Sequence, residues 1–267
     1  MKRLTPDQVA GYHRHGVLFP LPILTENKLR ASREAFAEIE TLAGGRLTYA
    51  GAVHLFFPWV WDLATDPALL DAAEDIIGPE IVIDSALLLC KYPHDPAFAP
   101  WHQDGVYSEW YTTPSVSAWM ALTGATIENG CMQVIPGSQH LGRLHHEETK
   151  SAASLFGNTA EITAKVDESQ SVAVELAAGE TSFHHASIVH GSPPNRSESK
   201  RLSLVVRFVT PQFQNRKSAF PAVQARGSGN LGCISIIAEP PSGDATDCFT
   251  RWKQFSLGMV RGPQARG

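Results

Sequence analysis

The sequence predicts one β-rich domain, an antiparallel sandwich or barrel with helices packed outside it. Helix signals are confined to roughly the first 80 of 267 residues. Beyond Glu80 the chain becomes a series of short apolar or alternating runs, separated by Gly, Pro, Asn and Ser clusters and with no helix between most pairs. No repeat, low-complexity tract or linker divides it. The expected organisation is therefore a single domain over 1–267, helical over 1–80, with a β core over about 81–240.

The elements follow in order. Thr5-Pro6-Asp7-Gln8 reads as a helix start: Thr5 is the N-cap, Pro6 takes the first helical position, and Gln8 closes a capping box. That helix should stop near Gly16. A second runs from Thr25 to about Ala43, ended by Gly44-Gly45, and a third from Asp66-Pro67 to Gly78-Pro79, with Leu69, Leu70, Ala73, Ile76 and Ile77 at helical spacing. Strands are expected over 81–91, 116–125, 131–135, 172–176, 181–184, 201–210 and 231–237. The stretch 141–170 is polar, weakly periodic and long for a connection, so it is either a lid or a disordered insertion. Leu155 and Phe156 are its large apolar pair and should fold inward, making Phe156 a candidate substrate contact.

Composition narrows the function. The balance of 22 basic and 27 acidic residues gives a net charge of −5, and no Lys/Arg run marks a nucleic-acid binder. The apolar stretch Val17–Leu24 is far too short for a membrane span and carries two prolines. The N-terminus lacks the apolar centre of a signal peptide. Cys90, Cys131, Cys233 and Cys248 form no close zinc-type pair and read as buried thiols of a reducing compartment. The expectation is a cytoplasmic protein, monomer or homodimer, with neither nucleic acid nor membrane as partner.

The chemistry centres on His102-Gln103-Asp104. In an extended segment, residues i and i+2 share a face, so this imidazole and carboxylate can converge on one point. His190, in Ile188-Val189-His190-Gly191-Ser192, is the best candidate third member. Two histidines and one carboxylate leave open positions on a metal, which suits non-haem Fe(II) oxygen chemistry. Alone, His-x-Asp is a weak signal, and the plainer reading is a surface turn, because Asp104-Gly105 is good turn chemistry. Arg201, 11 residues after His190, opens an apolar strand and could grip a carboxylate bidentately; the plainer reading is a snorkelling strand-end arginine. His184 and His185 pack in a strand or touch metal or substrate. Phe56–Trp61 reads as packing, and Trp110-Tyr111 as a loop leaving the metal mouth, where either ring is a candidate substrate contact.

Four motifs, in order and spacing, resemble the phytanoyl-CoA dioxygenase family of Fe(II)/2-oxoglutarate oxygenases. They are Trp101-His102-Gln103-Asp104, Trp119-Met120-Ala121-Leu122, the run Glu128 to Gln139, and His190 to Ser197 with Arg201. The resemblance covers about Leu4 to Pro211. It implies a double-stranded β-helix, or jelly roll, with His102, Asp104 and His190 as iron ligands. It further implies that Arg201 holds the distal carboxylate of 2-oxoglutarate with Ser192 beside it, that Trp119 lines the cosubstrate, and that Lys91 matches a lysine found in some members. Gln133 and Met132 fall on a strand that faces the site in relatives. Within the family, the segments around Lys91–Gln103 and Gly130–Gly137 look like halogenases of carrier-bound amino acids. Those enzymes lack the carboxylate ligand, whereas this chain keeps Asp104, so hydroxylation is favoured.

The expected cofactors are thus Fe(II) with 2-oxoglutarate and O2 as cosubstrates. The expected substrate is a small metabolite or natural-product intermediate, with an amino acid tethered to a carrier protein as competitor. A CoA thioester is unattractive without basic residues for its phosphates. The alternatives are desaturation, epoxidation, cyclisation or halogenation on the same iron, or a non-catalytic jelly roll that retains metal.

Overall fold

A computed structural model describes residues 1–107, 114–151, 153–156, 158–212, 221–228 and 236–260. Two antiparallel sheets face each other. The larger takes its strands in the order β1 (Val17–Pro22), β10 (Glu180–His185), β5 (Ser115–Ala121), β12 (Arg201–Val209), β3 (Ile81–Lys91) and β13 (Val223–Arg226), with β2 (Tyr49–Gly51) also pairing with β3. The smaller runs β4 (Ala99–His102), β11 (His190–Ser192), β6 (Met132–Val134), β9 (Val172–Val174). This is the expected jelly-roll arrangement.

Alternation explains why the large sheet reads as unbroken apolar runs: both of its faces are covered. On β12, Leu202, Leu204, Val206 and Phe208 join the core beneath the helices, while Val205 faces the cluster between the sheets. On β3, Ala86, Leu88 and Cys90 face the helices, whereas Leu87 and Leu89 face inward. The site therefore lies between the sheets, on odd-numbered positions of these two strands.

The helices begin where their caps predict. Helix α1 (Pro6–His15) carries both bonds of the Thr5–Gln8 capping box and ends on Gly16, at φ +75°. Helix α2 (Glu26–Leu42) starts behind Thr25, and α4 (Pro67–Ile77) behind Asp66, whose side chain accepts from the Ala68 amide.

Several expectations need correction. The first 80 residues are not purely helical, because β1 and β2 both join the large sheet. Phe56–Trp61 falls largely in an extra helix, α3 (Pro58–Ala64), with Phe57 and Val60 buried in the core. The 141–170 segment is no plain loop: β7 (His146–Lys150) and β8 (Asn158–Ile162) pair as a hairpin. Charged and polar residues dominate its strands because one side faces solvent, and this masked the alternation. The strand expected over 231–237 falls mostly outside the described residues, although Ile236 bridges to Ala222.

Past the jelly roll, α5 (Ala245–Val260) returns to pack on α2. Trp252 is buried, stands against Phe57 and donates its indole N–H to the Gly51 carbonyl at 2.9 Å. Cys90, Cys131 and Cys248 are buried free thiols; Cys233 lies outside the described residues. Among the described residues no helix is long and apolar enough to cross a membrane.

Candidate metal and cosubstrate site

His102 closes β4 and His190 opens β11, and their Cα atoms are direct cross-strand partners. Their rings stand 4.1 Å apart, centroid to centroid. Each ring is oriented by its own backbone: His102 Nδ1 lies 2.8 Å from the Pro100 carbonyl oxygen and His190 Nδ1 3.0 Å from that of Ile188. Donation from Nδ1 puts the lone pair on Nε2, which is how a metal-binding histidine is commonly prepared. Asp104 sits on a short 3₁₀ turn (Asp104–Tyr107) secured by Gly105 N–H donating to the Ala186 carbonyl. Strand alternation is thus not what brings it round; the turn is.

Asp104 Oδ1 lies 3.7 Å from His102 Nε2 and 3.8 Å from His190 Nε2. All three residues are buried, and among the described residues they are the one cluster whose ligand atoms lie within 4.8 Å of one another. Three convergent donors, spaced wider than good hydrogen bonds, leave room for an ion between them. Two imidazoles and a carboxylate are the donor set of a non-haem Fe(II) centre. Burial and the neighbouring His102 push His190 well below the usual imidazole range, so it stands neutral and ready to ligate.

The other side of Asp104 is held by Ser117 and Arg207, which sequence reasoning did not single out, and by His184, which it left between packing in a strand and touching metal or substrate. Ser117 Oγ donates to Oδ2 at 3.1 Å, His184 Nε2 lies 3.4 Å from Oδ2, and Arg207 reaches both oxygens, with Nη2 2.7 Å from Oδ1 and Nε 3.3 Å from Oδ2. Burial would raise the acid, but Arg207 and the histidines prevail and hold it well below the usual carboxylate range. Arg207 was legible by period two: on β12 it shares a face with Arg201, six residues on.

Deeper in, Arg201 is 1% exposed, its guanidinium carbon 5.5 Å from the Trp119 ring centroid. Its Nη1 donates to the Gly130 carbonyl, and its Nε finds no partner among the described residues. Lys91, its direct partner on β3, is fully buried and donates to Ser192 Oγ at 2.7 Å and to the Pro193 carbonyl. Neither cation makes an ion pair among the described residues. Burial, with Arg201 close by, pulls the Lys91 amine down to about 5, and burial alone pulls Arg201 to about 10. Arg201, with its guanidinium among neutral oxygens, offers an anion a place in the cleft, whereas Lys91, expected as a cosubstrate contact, does not line it and stands behind Ser192 with its amine drawn towards the neutral form.

Triad and Arg201 open on one narrow cleft between the sheets. Leu87, Leu89, Met132, Leu155, Phe156 and Val205 supply its apolar wall, with Trp119 and Ser192 on the Arg201 side. Phe156 stands 5.9 Å from the His102 ring, centroid to centroid, so Leu155 and Phe156 do fold inward. Gln133 does not line the cavity; next to Met132 on a strand, it points the other way. Trp110 and Tyr111 lie outside the described residues. The Gln103 amide, between two ligands, accepts from Leu144 N–H and donates to the Gly142 and Ser187 carbonyls, tying the approach to the hairpin to the metal site.

A jelly roll with a His-Asp-His cluster and a buried arginine in the same cleft is the arrangement expected of the non-haem iron, 2-oxoglutarate-dependent oxygenase class. The comparisons agree. The family model of phytanoyl-CoA dioxygenase (PhyH) matches residues 12–203, and the chain belongs to that family. L-proline trans-4-hydroxylase of Streptomyces griseoviridis is 28% identical over 179 residues, 60% of this chain and 64% of the relative. Human peroxisomal phytanoyl-CoA dioxygenase is 28% identical over 55% of this chain and 44% of its own length. The chain thus spans about half to two thirds of these curated relatives. Among solved structures, the non-heme monooxygenase ThoJ superposes with a TM-score of 0.77 at 27% identity, covering 96% of this chain and 99% of that one. SnoK, an alpha-ketoglutarate-dependent carbocyclase from nogalamycin biosynthesis, does so with 0.62 at 23% over 78% of this chain and 85% of that one.

Proposed function

We propose that this protein hydroxylates an unactivated C–H bond of a small metabolite or natural-product intermediate, within a single oxygenase domain. Bound Fe(II) with 2-oxoglutarate and O2 supplies the oxidising power, one oxygen atom entering the substrate as 2-oxoglutarate leaves as succinate and CO2. The observation that carries this reading is that the triad and Arg201, whose Nε has no partner among the described residues, line one cleft.

The chain's own part is binding, orientation and shielding. His102, Asp104 and His190 would hold the iron, their Nδ1 bonds and the grip on Asp104 fixing ligand directions. Arg201 and Ser192 would take the distal carboxylate of 2-oxoglutarate, with Lys91 holding Ser192 from behind and Trp119 against the cosubstrate's chain. Met132, Leu87 and Phe156 would press an apolar part of the substrate towards the metal and exclude water. No residue is needed as general acid or base; Asp104 is a ligand.

The test is succinate release by protein loaded with Fe(II) and 2-oxoglutarate under O2, over a panel of candidate metabolites. We expect release stimulated by the true substrate and abolished by His190→Ala. Calorimetry showing Fe(II) bound but no 2-oxoglutarate affinity would overturn the reading and favour a metal-retaining binding protein. The carbocyclase likeness is a matter of fold, so the mass of the product, plus 16 for hydroxylation, decides the outcome type.

A further inference from the structure

The three groups that grip Asp104 come from one row across the large sheet. His184 on β10 is the register partner of Ser117 on β5, and Ser117 is the register partner of Arg207 on β12. Neighbouring strands therefore put a hydroxyl, an imidazole and a guanidinium side by side on the inward face, under one carboxylate. Oδ2 takes all three: Ser117 Oγ at 3.1 Å, Arg207 Nε at 3.3 Å and His184 Nε2 at 3.4 Å. Oδ1 takes only Arg207 Nη2 at 2.7 Å and otherwise looks towards His102 and His190. His184 is 1% exposed and its Nδ1 meets no partner among the described residues, so the hydrogen bond this ring makes there is the one to Asp104.

We infer that His184, Ser117 and Arg207 are positioning residues that saturate Asp104 Oδ2 and so present Oδ1 alone to the metal. This rests on the iron reading above. A carboxylate oxygen offers two lone-pair directions, and three donors leave none for a cation. The fork of Arg207 lies along both oxygens and fixes the plane of the carboxylate, which a lysine could not do. One ligand oxygen instead of two leaves a coordination position open for the cosubstrates.

The test uses variants that keep the charge of the site, since deleting a cation next to a carboxylate would by itself favour a divalent ion. Titrate Ni(II) into the full-length metal-free protein by calorimetry, for wild type, Ser117→Ala, His184→Phe, Arg207→Lys and the Ser117→Ala/His184→Phe double variant, and record the thermal midpoint of each metal-free form. Loss of such outer partners typically weakens metal binding about 10- to 100-fold. We expect a loss of that size in the double variant and in Arg207→Lys, a smaller one in Ser117→Ala, and a metal-free midpoint for Ser117→Ala within a few degrees of wild type. Ni(II) affinity within twofold of wild type in all folded variants would overturn the inference. Failure of wild type to bind Ni(II) would instead overturn the iron reading. Should the double variant not fold, Ser117→Ala and Arg207→Lys still decide the matter.

Discussion

At the scale of single residues, burial and charge make two sharp predictions. Removing Arg201 deletes a charge-assisted contact worth about 1.5–3 kcal/mol, so Arg201→Ala should weaken 2-oxoglutarate binding roughly 10- to 100-fold. Arg201→Lys should recover only part of that, lacking the fork. Calorimetry with the Fe(II) form measures both, and unchanged affinity in a folded Arg201→Ala would make the arginine structural. Lys91 is the second case. Its amine titrates near 5 in the folded chain and near 10.5 when unfolded. Between those values the unfolded chain binds more protons, so this residue makes stability rise with pH across that window. Lys91→Met should therefore raise the thermal midpoint of the ligand-free protein at neutral pH and flatten its rise towards alkaline pH. A lower midpoint at pH 7 would show that the four oxygens around Nζ keep it charged.

At the scale of elements, backbone geometry and polar pins decide. Gly130 has a φ of +74°, and a Cβ there would lie 2.3 Å from the Pro193 carbonyl oxygen and 2.9 Å from that of Pro194. Strain in that region alone costs about 1–2 kcal/mol, and the collision adds to it. Gly130→Ala should lower stability by more than that in chemical denaturation. It should also weaken 2-oxoglutarate binding, because the Gly130 carbonyl receives Arg201. The hairpin approach gives the other test. Gln103→Leu strips the Leu144 amide and two carbonyls of their partner, so hydrogen exchange at Leu144 should quicken while that of the β3 amides stays slow. Equal rates in both proteins would mean that β7 and β8 hold the segment without Gln103.

At the scale of the whole molecule, the C-terminal helix lies outside the family match at 12–203 yet completes the core. Trp252→Ala should cost about 3–5 kcal/mol, as for other buried tryptophans, measured by denaturant unfolding. Most of this architecture was legible because it is written in short-range signals: Thr5–Gln8, Thr25 and Asp66 as caps, and the runs at 81–91 and 201–210 as strands. The ligand triad was legible through its motifs. Of the groups behind it, Arg207 shares the face of Arg201, but the parts played by Ser117 and His184 were not legible. Ser117 and His184 are ordinary residues whose meaning arises only when β10, β5 and β12 come into register, and register between distant strands is a long-range fact. The hairpin at 146–162 was hidden for a different reason, since polar strands with a solvent face carry little hydrophobic period.

One strand, β12, carries Arg201 near one end and Arg207 near the other, with the bulge against β3 falling just beyond Arg207. Six regular steps of about 3.3 Å separate them, so the stretch works as a ruler, setting how far the anion pocket stands from the metal ligands. A ruler of this kind has parity as well as length. Insert one residue between Ser203 and Val205, and one of the two arginines must turn to the helix-covered face, into the company of Leu204 and Phe208. Two inserted residues keep both facing inward but lengthen the span by a full repeat. A change in the length of this one strand therefore disturbs the anion pocket and the carboxylate's grip together, which a change in a surface loop does not.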